Sequence, residues 1–408
     1  MERNTMPYQQ NGAPRRQNTG AKRPYHKRTN SRAHAKSTIH PSKFINKAVT
    51  PAEQAVYEPM HSFGDFGLNA KTTAVLAHLG FSTPTPIQDQ CIPLALKGKD
   101  VIGLANTGTG KTAAFVLPII EKTSSSRQVV STLVLAPTRE LAQQIDADLR
   151  KFAAGQKIYS ALVVGGANIN QQIRQIQRGP HVVIGTPGRV KDLIQRRVLR
   201  LSQVTTFVLD EADRMCDMGF VNDIKSIAAE TPPTRQTLCF SATMTPNVQK
   251  IVEEFMIEPE TVTVAKNVTN DHIDQDVIEA RDKAHKIDLL HELLMQESYD
   301  KVIIFGETKF GVQRLADRLT ASDLKAVAIH GNKSQSQREK ALRTFKTGEA
   351  RILVATDVAA RGLDIPNVSH VINFDAPKQY DDYVHRIGRT GRAGNSGRAL
   401  TFVESTRR

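Results

Sequence analysis

From Phe63 onward, short apolar runs alternate with longer segments of helical period. Val101-Ile102-Gly103-Leu104, Leu133-Val134-Leu135, Leu162-Val163-Val164, Val182-Val183-Ile184, Phe207-Val208-Leu209 and Leu238-Cys239-Phe240 are too short for helices and apolar almost throughout. That is the look of strands buried on both faces. Between two of them, Leu141, Ile145 and Leu149 fall on one face of a helix. The alternation predicts a parallel sheet covered by helices. Residues 265–272 are polar and without period, which reads as a linker. Beyond it the pattern restarts with Lys301-Val302-Ile303-Ile304-Phe305, Ala326-Val327-Ala328-Ile329, Ile352-Leu353-Val354 and Val371-Ile372-Asn373-Phe374, and Val312, Leu315, Ala316 and Leu319 form a helix face. The expected organisation is one α/β domain at 60–264 and a second at 273–405. A chain of 408 residues, longer than one core supports, agrees with two domains.

The first 55 residues differ. They are Asn, Gln, Ser, Pro, Arg and Lys with hardly an aliphatic cluster, so they bury too little to offset ordering entropy and are expected to be disordered. Residues 1–50 hold eleven Lys and Arg against Glu2 alone, so this tail carries +10 of the net +14. Clustered cations of this kind attract a polyanion, though a solvated solubility tail has the same composition. Cys91, Cys216 and Cys239 are too few and too scattered for a disulfide framework or a zinc site, which fits a reducing compartment. No apolar run approaches a membrane span and no secretory signal opens the chain. The prolines of the Arg-rich start also argue against an amphipathic mitochondrial presequence, so a cytoplasmic protein is expected.

The candidate chemistry lies where predicted strands end. Ala105, Asn106, Thr107, Gly108, Thr109, Gly110, Lys111 and Thr112 follow one strand and precede an apolar helix, the context of a phosphate-binding loop. Its backbone N–H groups and helix N-terminus suit phosphate, Lys111 reaches the terminal phosphates, and the Thr112 hydroxyl can bind Mg²⁺. Ala105 stands where the general pattern has its first glycine. Asp210-Glu211-Ala212-Asp213 directly follows Phe207-Val208-Leu209, at the strand end where parallel sheets carry their sites. One carboxylate can hold Mg²⁺ and its neighbour can orient an attacking water. Pro137-Thr138-Arg139-Glu140, Gly165-Gly166 and Thr186-Pro187-Gly188-Arg189 also end strands, with hydroxyl, small and basic residues that suit phosphate oxygens better than base edges.

These motifs, in this order from Phe63 to about Val403, resemble the DEAD-box RNA helicase family. The resemblance implies two RecA-like parallel-sheet domains in tandem, the α/β architecture of P-loop NTPases in helicase superfamily 2. It implies ATP and Mg²⁺ as cofactors, with Asp210 and Thr112 on the metal and Glu211 orienting water. Gly80-Phe81-Ser82-Thr83-Pro84-Thr85-Pro86-Ile87-Gln88 is similar to the family's Q motif, in which Gln88 reads adenine and Phe63 stacks nearby. Asn332-Lys333-Ser334-Gln335 lacks the aspartate of guanine-reading loops, which weakens a GTPase reading. In Tyr383-Val384-His385-Arg386-Ile387-Gly388-Arg389-Thr390-Gly391-Arg392, the resemblance assigns Arg389 and Arg392 as arginine fingers, and it gives Asp364 a ribose contact. It places Pro137, Thr138, Arg139, Gly165, Gly166, Thr186, Gly188 and Arg189 on RNA in the first domain and Thr308, Gly331 and Thr356 on RNA in the second. Asp213, Ser241, Thr243 and His385 would link nucleotide state to strand separation.

The expected partner is RNA, single-stranded or as a short duplex, contacted through its backbone with little sequence preference; ribonucleoprotein partners are compatible with this and no membrane is. An ATP-dependent RNA clamp, a DNA helicase and, more weakly, a GTPase switch stay open. The compact length and abrupt C-terminus look most like bacterial RhlE-type relatives. Deleting residues 1–50 is expected to leave RNA-saturated turnover nearly intact while weakening RNA affinity. A disordered chain of that length reaches very roughly 35–40 Å. If about four of its cations neutralise phosphates of a single strand, the slope of log K against log salt becomes shallower by roughly 3 on deletion. Fluorescence anisotropy on one unstructured RNA across a salt series measures it, and an unchanged slope would remove the tethering role.

Overall fold

The apolar runs do become strands, and their period of two divides the core. The structure, a computed structural model, describes residues 39–48, 57–106, 108–123, 129–264, 273–360, 365, 367–391 and 396–405. In the first lobe β1 (Val101–Leu104), β2 (Thr132–Leu135), β3 (Ser160–Val163), β4 (Val182–Gly185), β5 (Thr206–Leu209), β6 (Gln236–Ser241) and β7 (Glu260–Thr263) form one sheet in the order β3-β4-β2-β5-β6-β1-β7. Every neighbouring pair is parallel. Val134, Val208, Leu238 and Phe240 pack on one face against the helix Lys111–Lys122, while Leu133, Leu135, Phe207, Leu209 and Cys239 pack on the other against Val190, Met215, Ile224 and Ile251.

The second lobe repeats the arrangement with β8 (Ile273–Ala280), β9 (Val302–Phe305), β10 (Ala326–Ile329), β11 (Ile352–Ala355), β12 (His370–Asn373) and β13 (Gly397–Glu404), in the order β10-β11-β9-β12-β13-β8. These strands are also parallel throughout. Three were not visible as apolar runs. β7 and β8 are edge strands whose open side takes Glu260, Thr261, Thr263, Asp274, Asp276 and Glu279, and β13 is interrupted by Thr401, a buried hydroxyl that accepts from Asn373 Nδ2 at 3.0 Å.

Disorder was expected through residue 55, yet Pro41–Phe44 is a turn of 3₁₀ helix and Phe44 is fully buried against the second lobe. The expected linker at 265–272 and residues 1–38 and 49–56 lie outside the described residues. Among the described residues no helix is long and apolar enough to cross a membrane, and no cluster of three or more His, Cys, Asp or Glu is placed to hold a metal. The three cysteines are buried and unpaired, and burial pushes the Cys91 and Cys239 thiols up to about 12.

His370, at the start of β12, stacks on Tyr299 with ring centroids 3.9 Å apart. Burial, helped by the Arg398 charge, lowers its pKa from 6.5 to about 4. The unfolded chain therefore binds this proton first, so stability is lost as the pH falls from about 6.5 towards 4. A full shift of this size is worth on the order of 3 kcal/mol. Acid denaturation of the wild type and of His370→Phe should diverge in that window and run parallel above it; curves of equal pH dependence would show that His370 is not the group concerned.

Candidate nucleotide site and nucleic-acid face

Strand order sorts the predicted residues into two groups. β5, β6 and β1 are hydrogen-bonded neighbours, and their C-terminal ends carry Asp210, Ser241 and the loop that begins at Ala105. β3, β4 and β2, also neighbours, end at Gly165-Gly166, Thr186–Arg189 and Pro137–Arg139. In the second lobe β10, β11 and β9 are neighbours and lead to Gly331, Thr356 and Thr308.

In the first group, Gly110 takes φ +92°, and a Cβ there would lie 2.3 Å from Gln88 Nε2, so only glycine fits. Gln88 is buried in the first turn of the helix Pro86–Leu96. Its Nε2 donates to the Gly110 carbonyl at 3.1 Å and its Oε1 accepts from Thr85 N at 3.0 Å. The side chain read as an adenine contact thus also braces the loop. Phe63 is buried edge-on to Phe66 and Phe81. Thr109 Oγ1 donates to Asn106 O at 2.8 Å, and Lys111 Nζ to Ala105 O at 2.8 Å. Thr107 lies outside the described residues, as do Asp364 and Arg392.

Asp210 is buried, and burial raises its pKa to about 7 against the opposing charge of Lys111, with Glu211 adding to the rise. Glu211 N donates to its Oδ1 at 3.0 Å. Such a carboxylate fits a divalent cation, which would offset the desolvation that now works against its charge. Glu211 has φ +54°, a left-handed conformation rare outside glycine, and it caps the short helix Ala212–Asp217. Its Oε2 lies 3.4 Å from the buried Arg214 Nη1, which holds the side chain. Asp213 closes the network: its Oδ2 accepts from Ala242 N, Thr243 N and Thr243 Oγ1 at 3.0–3.1 Å, and its own N donates to Ser241 Oγ at 3.2 Å.

On the other half of the edge, Thr138 N-caps the helix Arg139–Phe152 by accepting from Leu141 N. The Arg139 guanidinium lies over Gly165-Gly166; a Cβ on Gly166, whose φ is +74°, would meet Arg139 Nη1 at 2.1 Å. Two motifs far apart in sequence are thereby one surface. Arg189 Nη1 donates to Ala167 O at 3.3 Å beside it, and Gly188 leaves its surroundings open. Burial, then the neighbouring Arg338 and Arg189, lower the Arg139 pKa, with Glu140 opposing. In the second lobe Thr308 N-caps the helix Lys309–Ala321, and the space around Gly331 is open.

A family model described as DEAD/DEAH box helicase matches residues 85–251, and one described as helicase conserved C-terminal domain matches 285–394. The chain is 50% identical over 345 residues to the DEAD-box ATP-dependent RNA helicase CshA of Geobacillus kaustophilus, covering 84% of this chain and 74% of that one. The chain belongs to the DEAD/DEAH box helicase family. Among solved structures, this helicase is similar to S. cerevisiae Dbp5 bound to RNA and ADP BeF3, with 32% identity, a TM-score of 0.77 and 85% and 90% of the two chains covered. Against a Dbp5 variant bound to Nup159, Gle1, IP6 and ADP, the TM-score is 0.59 at the same identity, with 83% and 90% covered.

The helicase also uses residues that the motif reading missed. Arg386, which the motif reading left without a role, is neutralised within the chain: its Nε and Nη2 form a bidentate pair with Asp357 at 2.6 and 2.7 Å, and its Nη1 donates to Asn373 Oδ1 and Asp375 O. Arg389 is buried, with Nε donating to His385 O at 3.3 Å. Arg338 joins the lobes: its Nη2 lies 2.8 Å from Glu140 Oε1, both side chains buried, as an ion pair not aligned for a hydrogen bond. Gln335 Nε2 reaches Gln143 Oε1 at 3.3 Å in the same contact. A signal existed, because Arg338 shares the face of its helix with the buried Ala341 and Phe345, where a lone charge needs a partner.

Burial raises the Glu140 pKa, with Arg338 as the largest opposing influence. Arg338→Ala leaves that carboxylate without its partner wherever the lobes are joined, at a cost on the order of 2 kcal/mol or more. That is roughly thirtyfold in the equilibrium between joined and parted lobes. Interlobe fluorescence transfer with RNA and a non-hydrolysable nucleotide should fall accordingly and recover in part on pairing the change with Glu140→Gln. Equal transfer in wild type and Arg338→Ala would show that the pair does not hold the lobes.

Proposed function

We propose that this chain hydrolyses ATP when RNA joins its two lobes, and that the joined state separates short duplexes locally or remodels RNA–protein complexes. The observation that carries the reading is that one sheet edge groups Asp210, Ser241 and the glycine-rich loop on β5, β6 and β1, and the motifs that suit a phosphate backbone on β3, β4 and β2. In support, the lobe arrangement agrees better with the RNA- and ADP BeF3-bound relative than with the one bound to Nup159, Gle1, IP6 and ADP. Identity to CshA favours a CshA-like place in the family over the RhlE-type branch. A cytoplasmic setting, with RNA contacted through its backbone, completes the proposal.

In this reading the loop from Ala105 to Thr112 wraps the phosphates, Lys111 leaves Ala105 O for the terminal phosphates, and Gln88 and Phe63 set the base. Thr112 and Asp210 hold Mg²⁺, which supplies charge neutralisation on the phosphates when bound. Glu211, fixed by Arg214 and by its own backbone conformation, orients the water. Arg389 and Arg392 act from the second lobe and Asp364 contacts the ribose, so chemistry requires the lobes to be joined. Pro137, Thr138, Arg139, Gly165, Gly166, Thr186, Gly188 and Arg189 hold one stretch of RNA backbone and Thr308, Gly331 and Thr356 the next. Asp213, Ser241, Thr243 and His385 relay between nucleotide and interface. Joining is driven by ligands that bind the joined state more tightly.

ATPase rates with RNA, with DNA of the same sequence and with neither test the class. RNA-specific stimulation is expected; equal stimulation by DNA would refute RNA as the partner. Glu211→Gln should keep ATP and RNA binding and stall turnover. Arg389→Ala should lower kcat by about 10³-fold or more while changing ATP affinity little. Binding without turnover in the wild type itself would mean an RNA clamp.

A further inference from the structure

We infer that Pro41–Lys47 is a positioning strap for the helix Tyr380–Ile387 and, through it, for Arg389; the inference rests on the proposed role of Arg389. The segment precedes the first lobe in sequence but packs on the second. His40 accepts from Ser42 N to start a single 3₁₀ turn, and the chain then runs extended past the open edge of β8. There Asn46 exchanges both backbone hydrogen bonds with Gln275, at 3.1 and 2.7 Å, an antiparallel bridge on an otherwise parallel sheet. Lys47 Nζ lies 3.2 Å from Asp276 and 3.4 Å from Asp274, but it is largely exposed, so these pairs set register more than they add strength.

The anchor is Phe44. It is 1% exposed and forms a small core with Ile273, Tyr383, Ile387 and Ala399, apart from the two clusters that line the faces of the second sheet. Its ring lies 4.8 Å from that of Tyr383. The Tyr383 hydroxyl donates to Gln275 Oε1 at 3.0 Å and lies 3.4 Å from Phe44 O, so the strap's backbone helps to satisfy a buried phenol. Tyr383 and Ile387 are four residues apart, on one side of the helix that carries His385 and Arg386. Ion pairing to Asp357 fixes the helix through Arg386, and the strap fixes it through Tyr383 and Ile387. Arg389 follows two residues after Ile387, with its Nε bonded to the His385 carbonyl of the same turn, so a tilt of the helix moves the finger with it.

A shift of about 1 Å in a charge that must meet a transition state is enough to lower a rate by one to two orders of magnitude. Phe44→Ala should therefore lower RNA-saturated kcat on the order of tenfold, with KM for ATP and RNA affinity unchanged. Phe44→Leu should restore most of it. Deleting residues 1–36 should leave kcat at the wild-type level, whereas deleting 1–48 should reproduce Phe44→Ala; because Phe44 is buried on the second lobe, this replaces the expectation from sequence that loss of residues 1–50 spares turnover. In an Arg389→Ala background, Phe44→Ala should have no further effect on the residual turnover, because the strap acts through that side chain. A wild-type kcat in Phe44→Ala, with or without a lowered melting temperature, overturns the inference. So does a loss that multiplies with that of Arg389→Ala, which would be general destabilisation. Absence of RNA-stimulated turnover in the wild type and in the 1–36 deletion would instead strike the proposed function, so the two failures are told apart.

Discussion

In a sheet whose neighbouring strands all run the same way, each strand releases the chain at the same edge, and each covering helix begins there. Both sheets obey this constraint, and the chemistry of the molecule depends on it. Lys111–Lys122, Arg139–Phe152 and Pro187–Gln195 start at that edge of the first lobe, and Lys309–Ala321 and Gln335–Lys346 at that of the second. Helix N-termini present free N–H groups and positive potential, so the edge suits phosphate wherever it is opened by a glycine or a small residue. A nucleotide and a nucleic-acid backbone are both phosphate esters. In the proposed reading, one geometric rule therefore accounts for two binding functions, and strand order allots them to different halves.

Buried charge is concentrated at this edge, in two kinds of pairing. Glu211 with Arg214, Asp213 with Thr243, and Arg386 with Asp357 each lie within one lobe, so their partners stay together whatever the other lobe does. Such pairs add little net stability over well-packed apolar residues, but they fix geometry, because breaking one strands a charge in low dielectric. Glu140 with Arg338 is different, since its partners come from separate lobes. When the lobes part, both charges return to water and the desolvation cost is recovered. The pair is thus a weak latch with a sharp geometric requirement, suited to a contact that has to form and release.

Much of this was legible in the chain. Buried strands in an α/β fold are bare apolar runs, and six strands of the first lobe and four of the second were visible for that reason. The edge strands β7 and β8 were not, because one exposed side lets Glu, Asp and Thr into the pattern. Lys111, Asp210 and Glu211 stood out because phosphate and metal chemistry demand particular residue types directly after a strand. Asp357 did not, since a residue whose partner lies 29 positions away leaves no local spacing, and Arg338 left only its place on an apolar helix face, with nothing to name a partner 198 positions away. Phe44 was hidden by its surroundings: composition over fifty residues describes the average of a segment, and one aromatic anchor does not move that average.

The two halves of the first edge meet at one bond. β2 leads to Pro137–Arg139 and β5 leads to Asp210, and where these neighbours end, Asp210 N donates to Leu135 O at 3.0 Å. The carboxylate assigned to the metal is therefore two residues, on the facing strand, from the start of the nucleic-acid motif, and Glu140 at the far end of that motif holds Arg338 of the other lobe. Rigid strands and a single helical turn connect these points, so there is little room for one to move alone. In the proposed reading, what switches is the contact between lobes, and both ligands bias it because both bear on the same few residues. Coupling of this kind requires no long-range deformation of either sheet, only that neither ligand completes its site until the second lobe arrives.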